Sequence, residues 1–183
     1  MKEIFDAIRA YATAYDKLER IQRSRREDLP LGDQKTGVIG EFFAMLHARR
    51  RFPETKLEFG AGGWDICVTP ASGSVKLIQV KAVSVHSGTS RISPIHSGWD
   101  ELWLMRLDRQ LLPEGFWTFC KVDVPWSSVT VEYSTMPRHG KPRSGSEIFR
   151  SRKDALTDLW QSLNAAHPPL KALAKGKLAP LLR

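Results

Sequence analysis

A mixed α/β domain, with a central sheet of about five strands flanked by helices, is the fold class this sequence predicts. Three observations predict it. Apolar residues between 3 and 24 recur at threes and fours, as on one face of a helix. Short β-branched and aromatic runs follow between 56 and 124, and clusters of Gly, Pro and Ser separate them. The chain of 183 residues fits a single domain, read as 1–166, with a basic, proline-containing tail at 167–183.

Residues 3–24 form an amphipathic helix with Ile4, Phe5, Ile8, Tyr11, Ala12, Tyr15, Leu18 and Ile21 on its stripe, packed on the core or on a second subunit. Leu29-Pro30-Leu31-Gly32-Asp33 breaks it. A second helix opens at Thr36, is apolar nearly all round and hence buried, and ends at Phe52-Pro53. Lys56 to Phe59 is a short strand, and Gly60-Ala61-Gly62-Gly63 is a turn open enough for a nucleic-acid backbone to approach. The runs Gly63 to Thr69 and Val75 to Val83 form a hairpin around Pro70-Ala71-Ser72-Gly73-Ser74. Residues 84–98 lose periodicity and read as a loop, with His86 and His96 as surface or structural histidines. Glu101 to Leu107 and Phe116 to Val124 form a second hairpin through residues 112–115, with Trp103, Trp117, Phe119 and Trp126 as core, and Trp64 likewise. Residues 134–147 are a basic loop, and 151–165 a last helix with Ala155, Leu156, Leu159, Trp160 and Leu163 inward.

Lys and Arg number 28 against 20 Asp and Glu, a net charge of +8, which favours a polyanionic partner. Cys67 and Cys120 sit inside apparent strands and read as small buried hydrophobes in a reduced, cytoplasmic setting. The sequence shows neither a secretory leader pattern nor an apolar run long enough to span a membrane.

The first hairpin carries the chemistry. With a loop centred on Ser72, Thr69 pairs with Val75 and the antiparallel register sets Asp65 opposite Gln79, in diagonal reach of Lys81. A one-residue slip would send Asp65 to the other face. Lys81 stands in a strand apolar on both faces, where an unpaired ammonium costs several kcal/mol. Glu41 is the only charge between Thr36 and His47. A carboxylate on a buried helix needs a partner: either Arg49, Arg50 or a core amide, or a functional group.

In order, spacing and apolar context, Glu41, Asp65 and the triplet Gln79-Val80-Lys81 resemble the PD-(D/E)xK nuclease superfamily, the restriction-endonuclease-like fold, over residues 35 to 84. Ile78 before a Gln-x-Lys triplet is most similar to the Mrr-like and Holliday-junction-resolvase-like branches. Trp64 stands where the motif has Pro, and Gln79 where it has an acid. The resemblance implies a three-layer core and a Mg²⁺- or Mn²⁺-dependent endonuclease acting on DNA, or on RNA by the same phosphate chemistry. It implies that Asp65, the Val80 carbonyl and Glu41 hold the metal, that Lys81 orients water or neutralises developing charge, and that Gln79 positions water. Lys35, Thr36, Ser90, Arg91, Arg138, Lys141 and Arg143 are the expected nucleic-acid contacts. A homodimer would suit double-strand cleavage. The alternative is an inactive nuclease fold kept as a DNA-binding or assembly module.

Overall fold

The computed structural model describes residues 2–30, 34–60, 62–84, 95, 97–121 and 153–166, with the backbone alone at 2–9, 11 and 12. The elements run α1 (Lys2–Ser24), α2 (Lys35–Arg51), β1 (Lys56–Phe59), β2 (Ile66–Thr69), β3 (Lys76–Ser84), β4 (Glu101–Leu107), β5 (Pro113–Cys120), β6 (Lys153–Asp154) and α3 (Leu156–Ala166). The strands form one sheet in sequence order, antiparallel except for the parallel pair β3 and β4. The fold class is therefore the mixed α/β (α+β) one expected. None of the described helices is long and apolar enough to cross a membrane.

Alternation sorts the sheet's two faces. Ile78, Val80, Trp103, Met105 and Phe116 face the helices and join Phe43, Ala44, Met45 and Ala48 of α2 and Leu156, Leu159, Trp160 and Leu163 of α3 in one core. Val83, Leu102, Leu104, Trp117 and Phe119 on the opposite face are buried too. A sheet buried on both sides explains why its inner strands read as continuous apolar runs rather than as alternation. The helix stripe of 151–165 docks as expected, although the helix itself begins at Leu156, after β6.

α2 meets the sheet at one very close approach. A Cβ added at Gly40 would lie 2.3 Å from the Cβ of Ala82 on β3. Glu41 follows Gly40 and Lys81 precedes Ala82, so the small pair that admits the helix also sets two of the expected site residues beside the contact.

Three expectations need correction, and of the two placements open to α1 the core is not favoured by its described part: Ile21 is 39% exposed, and only Gln22 among these side chains is buried. That part of the helix is tied instead to the start of α2, where Gln22 Nε2 donates to the Pro30 carbonyl at 2.6 Å and Lys35 Nζ donates to Gln22 Oε1 at 2.7 Å. Cys67 is half-buried and Cys120 exposed, because Cys120 ends β5 at the sheet margin; neither is in a disulfide. Trp64 is half-buried and lies on Gly60, where a Cβ would meet its ring at 2.0 Å, so that glycine makes room for an indole. The second hairpin turns earlier than expected, at 108–112, with Leu111 at φ 59 and Pro113 already in β5. Trp126, His86, His96, the basic loop 134–147 and the tail lie outside the described residues.

Candidate active site

The β2–β3 register is the one that loop symmetry demands: Ile66 pairs with Ile78, Cys67 with Leu77 and Val68 with Lys76. Asp65 comes one residue before the ladder, level with Gln79. Its N–H donates to the Ile78 carbonyl at 2.8 Å and its carbonyl accepts from the Gly60 N–H at 2.9 Å. Its Oδ2 accepts from the Val80 N–H at 2.7 Å. The carboxylate thus takes the place of a backbone acceptor from the β2 side for the Val80 N–H of β3, and three hydrogen bonds to backbone groups fix the residue where the two strands part. This is how a short side chain is made rigid enough to serve a site.

Gln79 is 1% exposed, and its Nε2 donates to the Gly63 carbonyl at 2.8 Å. The amide closes the glycine turn against β3. Lys81 shares that face two residues on and is half-buried. Desolvation loosens its proton, the charges of Asp65 and Glu41 tighten it, and desolvation prevails, leaving Lys81 below the ordinary lysine value.

Glu41 comes from the other layer. Burial first, and then the negative charge of Asp65, push its carboxyl up to about 8, with Lys81 pulling the other way. The arginines that could have served it are engaged elsewhere: Arg49 Nη1 donates to Asp28 at 3.1 Å, Arg50 to Gln161 at 2.8 Å and Arg51 to Glu101 at 2.7 Å. Among the described residues Glu41 has no hydrogen-bond or ion-pair partner. Glu41, Asp65 and Lys81 therefore act electrostatically on one another from α2, the mouth of β2 and β3, with Gln79 beside them.

The expected nucleic-acid contacts are not all in reach of description. Lys35 is turned towards α1, with Nζ on Gln22, 3.6 Å from Glu19 and 4.4 Å above the Tyr15 ring. Thr36 is half-buried in the first turn of α2. Ser90, Arg91, Arg138, Lys141 and Arg143 lie outside the described residues.

Two groupings had gone unread in the sequence. Glu101, at the start of β4, is a buried carboxylate held by Arg51 (2.7 and 3.0 Å), Lys76 (2.8 Å) and the Trp103 Nε1–H (2.9 Å). Burial acts to raise its proton affinity, but the bonds from Lys76 and Trp103, with the Arg51 charge, overrule it and hold the carboxyl below the ordinary value. His47 forms the second grouping, with Arg50 and Arg51 one helical turn further on. Their spacing of three and four was the available signal.

No protein-family profile matches this chain, and no curated protein matches it. Among solved structures it is similar to a bacterial homing endonuclease at 19% identity, with a TM-score of 0.44, over 75% of this chain and 99% of that one.

Proposed function

We propose that this chain is a divalent-metal-dependent endonuclease that hydrolyses phosphodiester bonds of DNA at Glu41, Asp65, Gln79 and Lys81. The observation that carries the proposal is that two carboxylates and a lysine from three elements act on one another where Gly40 and Ala82 bring α2 against β3. The same residues carry the resemblance to PD-(D/E)xK nucleases, in a QxK variant.

The residues fit Mg²⁺ or Mn²⁺. Both carboxylates are hard oxygen donors, and such ions settle for one or two protein carboxylates while keeping several waters. Glu41, half-buried, repelled by Asp65 and held neutral to about pH 8, would gain from a compensating positive charge, which supports a role as a ligand. Asp65 and Glu41, with the Val80 carbonyl, would hold the ion. When bound it would supply Lewis-acid polarisation of the phosphate and a more acidic water. Lys81, with its ammonium weakened by burial, orients the attacking water and opposes the charge that grows on the phosphoryl oxygens. Gln79, anchored on Gly63, holds the turn and the mouth of β2 in place for Asp65. Backbone phosphates would be bound by the chain's excess positive charge, so affinity falls with salt. Cutting both strands of a duplex needs two such sites, for which a homodimer is the simplest assembly.

One observation favours a second proposal, an inactive fold kept for DNA binding or assembly. The third ligand position is an amide committed to Gly63, and the described residues include no cluster of three His, Cys, Asp or Glu. The test offers supercoiled plasmid, single-stranded circle and four-way junction at low salt with Mg²⁺ or Mn²⁺. Cleavage by wild type and its loss in Asp65→Ala and Lys81→Ala, both still folded and binding DNA, establishes the nuclease. Binding of every substrate with no cleavage in either metal replaces it with the binding module.

A further inference from the structure

A separate cavity of about 180 Å³ opens between the C-terminal end of α2, α3 and the β5–β6 edge. At roughly 30 Å³ per water it holds about six waters' worth of space, room for a tetrahedral oxyanion. Val80, Trp103, Thr118 and Lys153 are successive partners in one row across the sheet. Lys153 therefore lies three strand spacings, roughly 14 Å, from Val80. The cavity is not part of the candidate active site.

Arg50, Arg51 and Lys153 line it against one carboxylate, that of Asp158. Arg51 is spent on Glu101. Arg50 donates to the neutral Gln161, and neither Arg50 nor Lys153 has a carboxylate partner among the described residues. The wall between these cations is polar and buried: Ser162 is 3% exposed, His47 5% and Thr118 8%. Ser162 Oγ donates to the Asp158 carbonyl at 2.9 Å, so towards His47 Nδ1, 3.4 Å away, it can only accept. The imidazole proton thus sits on Nδ1, leaving Nε2 to gain one. Trp103 and Phe116 meet the ring edge-on at 5.2 and 5.1 Å and hold its plane.

We propose that this cavity is a binding site for a phosphate-type oxyanion, with Arg50 and Lys153 supplying charge, Thr118 a hydroxyl donor and His47 a donor once protonated. Burial first, then the positive charges of Arg51, Lys153 and Arg50, hold His47 down at about 4, against the opposing pull of Asp158. A bound phosphate would offset those cations and raise the His47 midpoint, so that in the acid range the ring takes up a proton as the anion binds. The site stands whether or not the chain cleaves DNA, since none of its residues is among the four proposed for cleavage.

The test follows the His47 ring by NMR through a pH titration of the full chain, in sodium phosphate and in sodium chloride at equal ionic strength. Parallel arms use an oligonucleotide with and without a 5′-phosphate. The expected result is an upward move of the His47 midpoint of at least about one pH unit. It should vanish, with a tenfold or greater loss of affinity, in Arg50→Gln/Lys153→Met, whose two positions are exposed and leave the core untouched. A response to inorganic phosphate identifies a small oxyanion site, and a response confined to the oligonucleotides identifies a nucleic-acid phosphate. A midpoint unmoved in every arm, or moved equally in the double variant, overturns the proposal. Because the readout is His47 and not cleavage, a failed nuclease test leaves this result standing, and the reverse holds too.

Discussion

Glu41→Gln isolates the cost of a buried carboxylate. Folded, Glu41 gives up its proton at about pH 8; unfolded, it does so near the ordinary 4.5. Between those values the unfolded chain has lost a proton that the folded chain keeps, so stability falls as pH rises from 4.5 to 8. The gap of about 3.5 pH units, at about 1.36 kcal/mol each, sets an upper bound of about 5 kcal/mol. His47 slopes the other way. Its folded value of about 4 against 6.5 means the folded state binds fewer protons in that window, so its contribution is whole above 6.5 and is lost as pH falls through 4. The wild-type profile mixes the two, but subtracting it from the Glu41→Gln profile removes the histidine. Urea unfolding across pH 4 to 9 is the assay. The variant should match wild type at the acid end and exceed it by about 2–5 kcal/mol above pH 8. Mg²⁺ or Mn²⁺ should narrow that gap by stabilising wild type more than the variant, which keeps only Asp65 and the Val80 carbonyl of the proposed ligands. Parallel profiles for the two proteins would refute the burial of Glu41 as the source.

Two further substitutions address the frame of the site. Gly40→Ala drives a methyl into Ala82 at the α2–β3 contact and should cost about 1–3 kcal/mol in chemical denaturation. Adding Ala82→Gly should restore most of it, and an additive double variant would show that the two residues do not touch. Gln79→Glu supplies the third carboxylate but removes the donor to the Gly63 carbonyl, so without metal it should lose about 1–3 kcal/mol. Titration calorimetry should show tighter Mn²⁺ binding than wild type, and unchanged affinity would mean that position 79 does not face the metal.

The parts of the fold legible in the sequence were those with one periodicity. Strands β1 to β5 and helices α2 and α3 announced themselves by apolar pattern, and the hairpin register followed from loop symmetry because a slip would have turned the apolar set outward. The two-residue β6 could not be foreseen, since so short a strand has no pattern; it exists only by pairing with Trp117 and Thr118. The level of Asp65 with Gln79 was legible from the register, but its bond to the Val80 N–H was not, because strand alternation says nothing of the residue just before a ladder. The stripe of α1 left its partner open for a different reason: a helical period shows which residues share a face, not whether anything in the same chain covers it. His47 and Glu101 were hidden by context, since what matters in each is a cation one or two helical turns or strands away.

The electrostatics of the candidate site follow from a single rule applied to opposite charges. Burial disfavours any charged form, so it raises the carboxyl of Glu41 and lowers the ammonium of Lys81. Asp65 then separates the two. Its negative charge pushes Glu41 further towards neutrality and draws Lys81 back towards its cation. On the metal-binding reading proposed above, a divalent cation would reverse both influences, lowering the proton affinity of Glu41 and of Lys81, within a frame that Gly40, Ala82 and the hydrogen bonds of Asp65 have already fixed. An acid in place of Gln79 would add a second repelled carboxylate to a site that already keeps one protonated. The amide at that position instead donates to the Gly63 carbonyl, a bond that a carboxylate could not make.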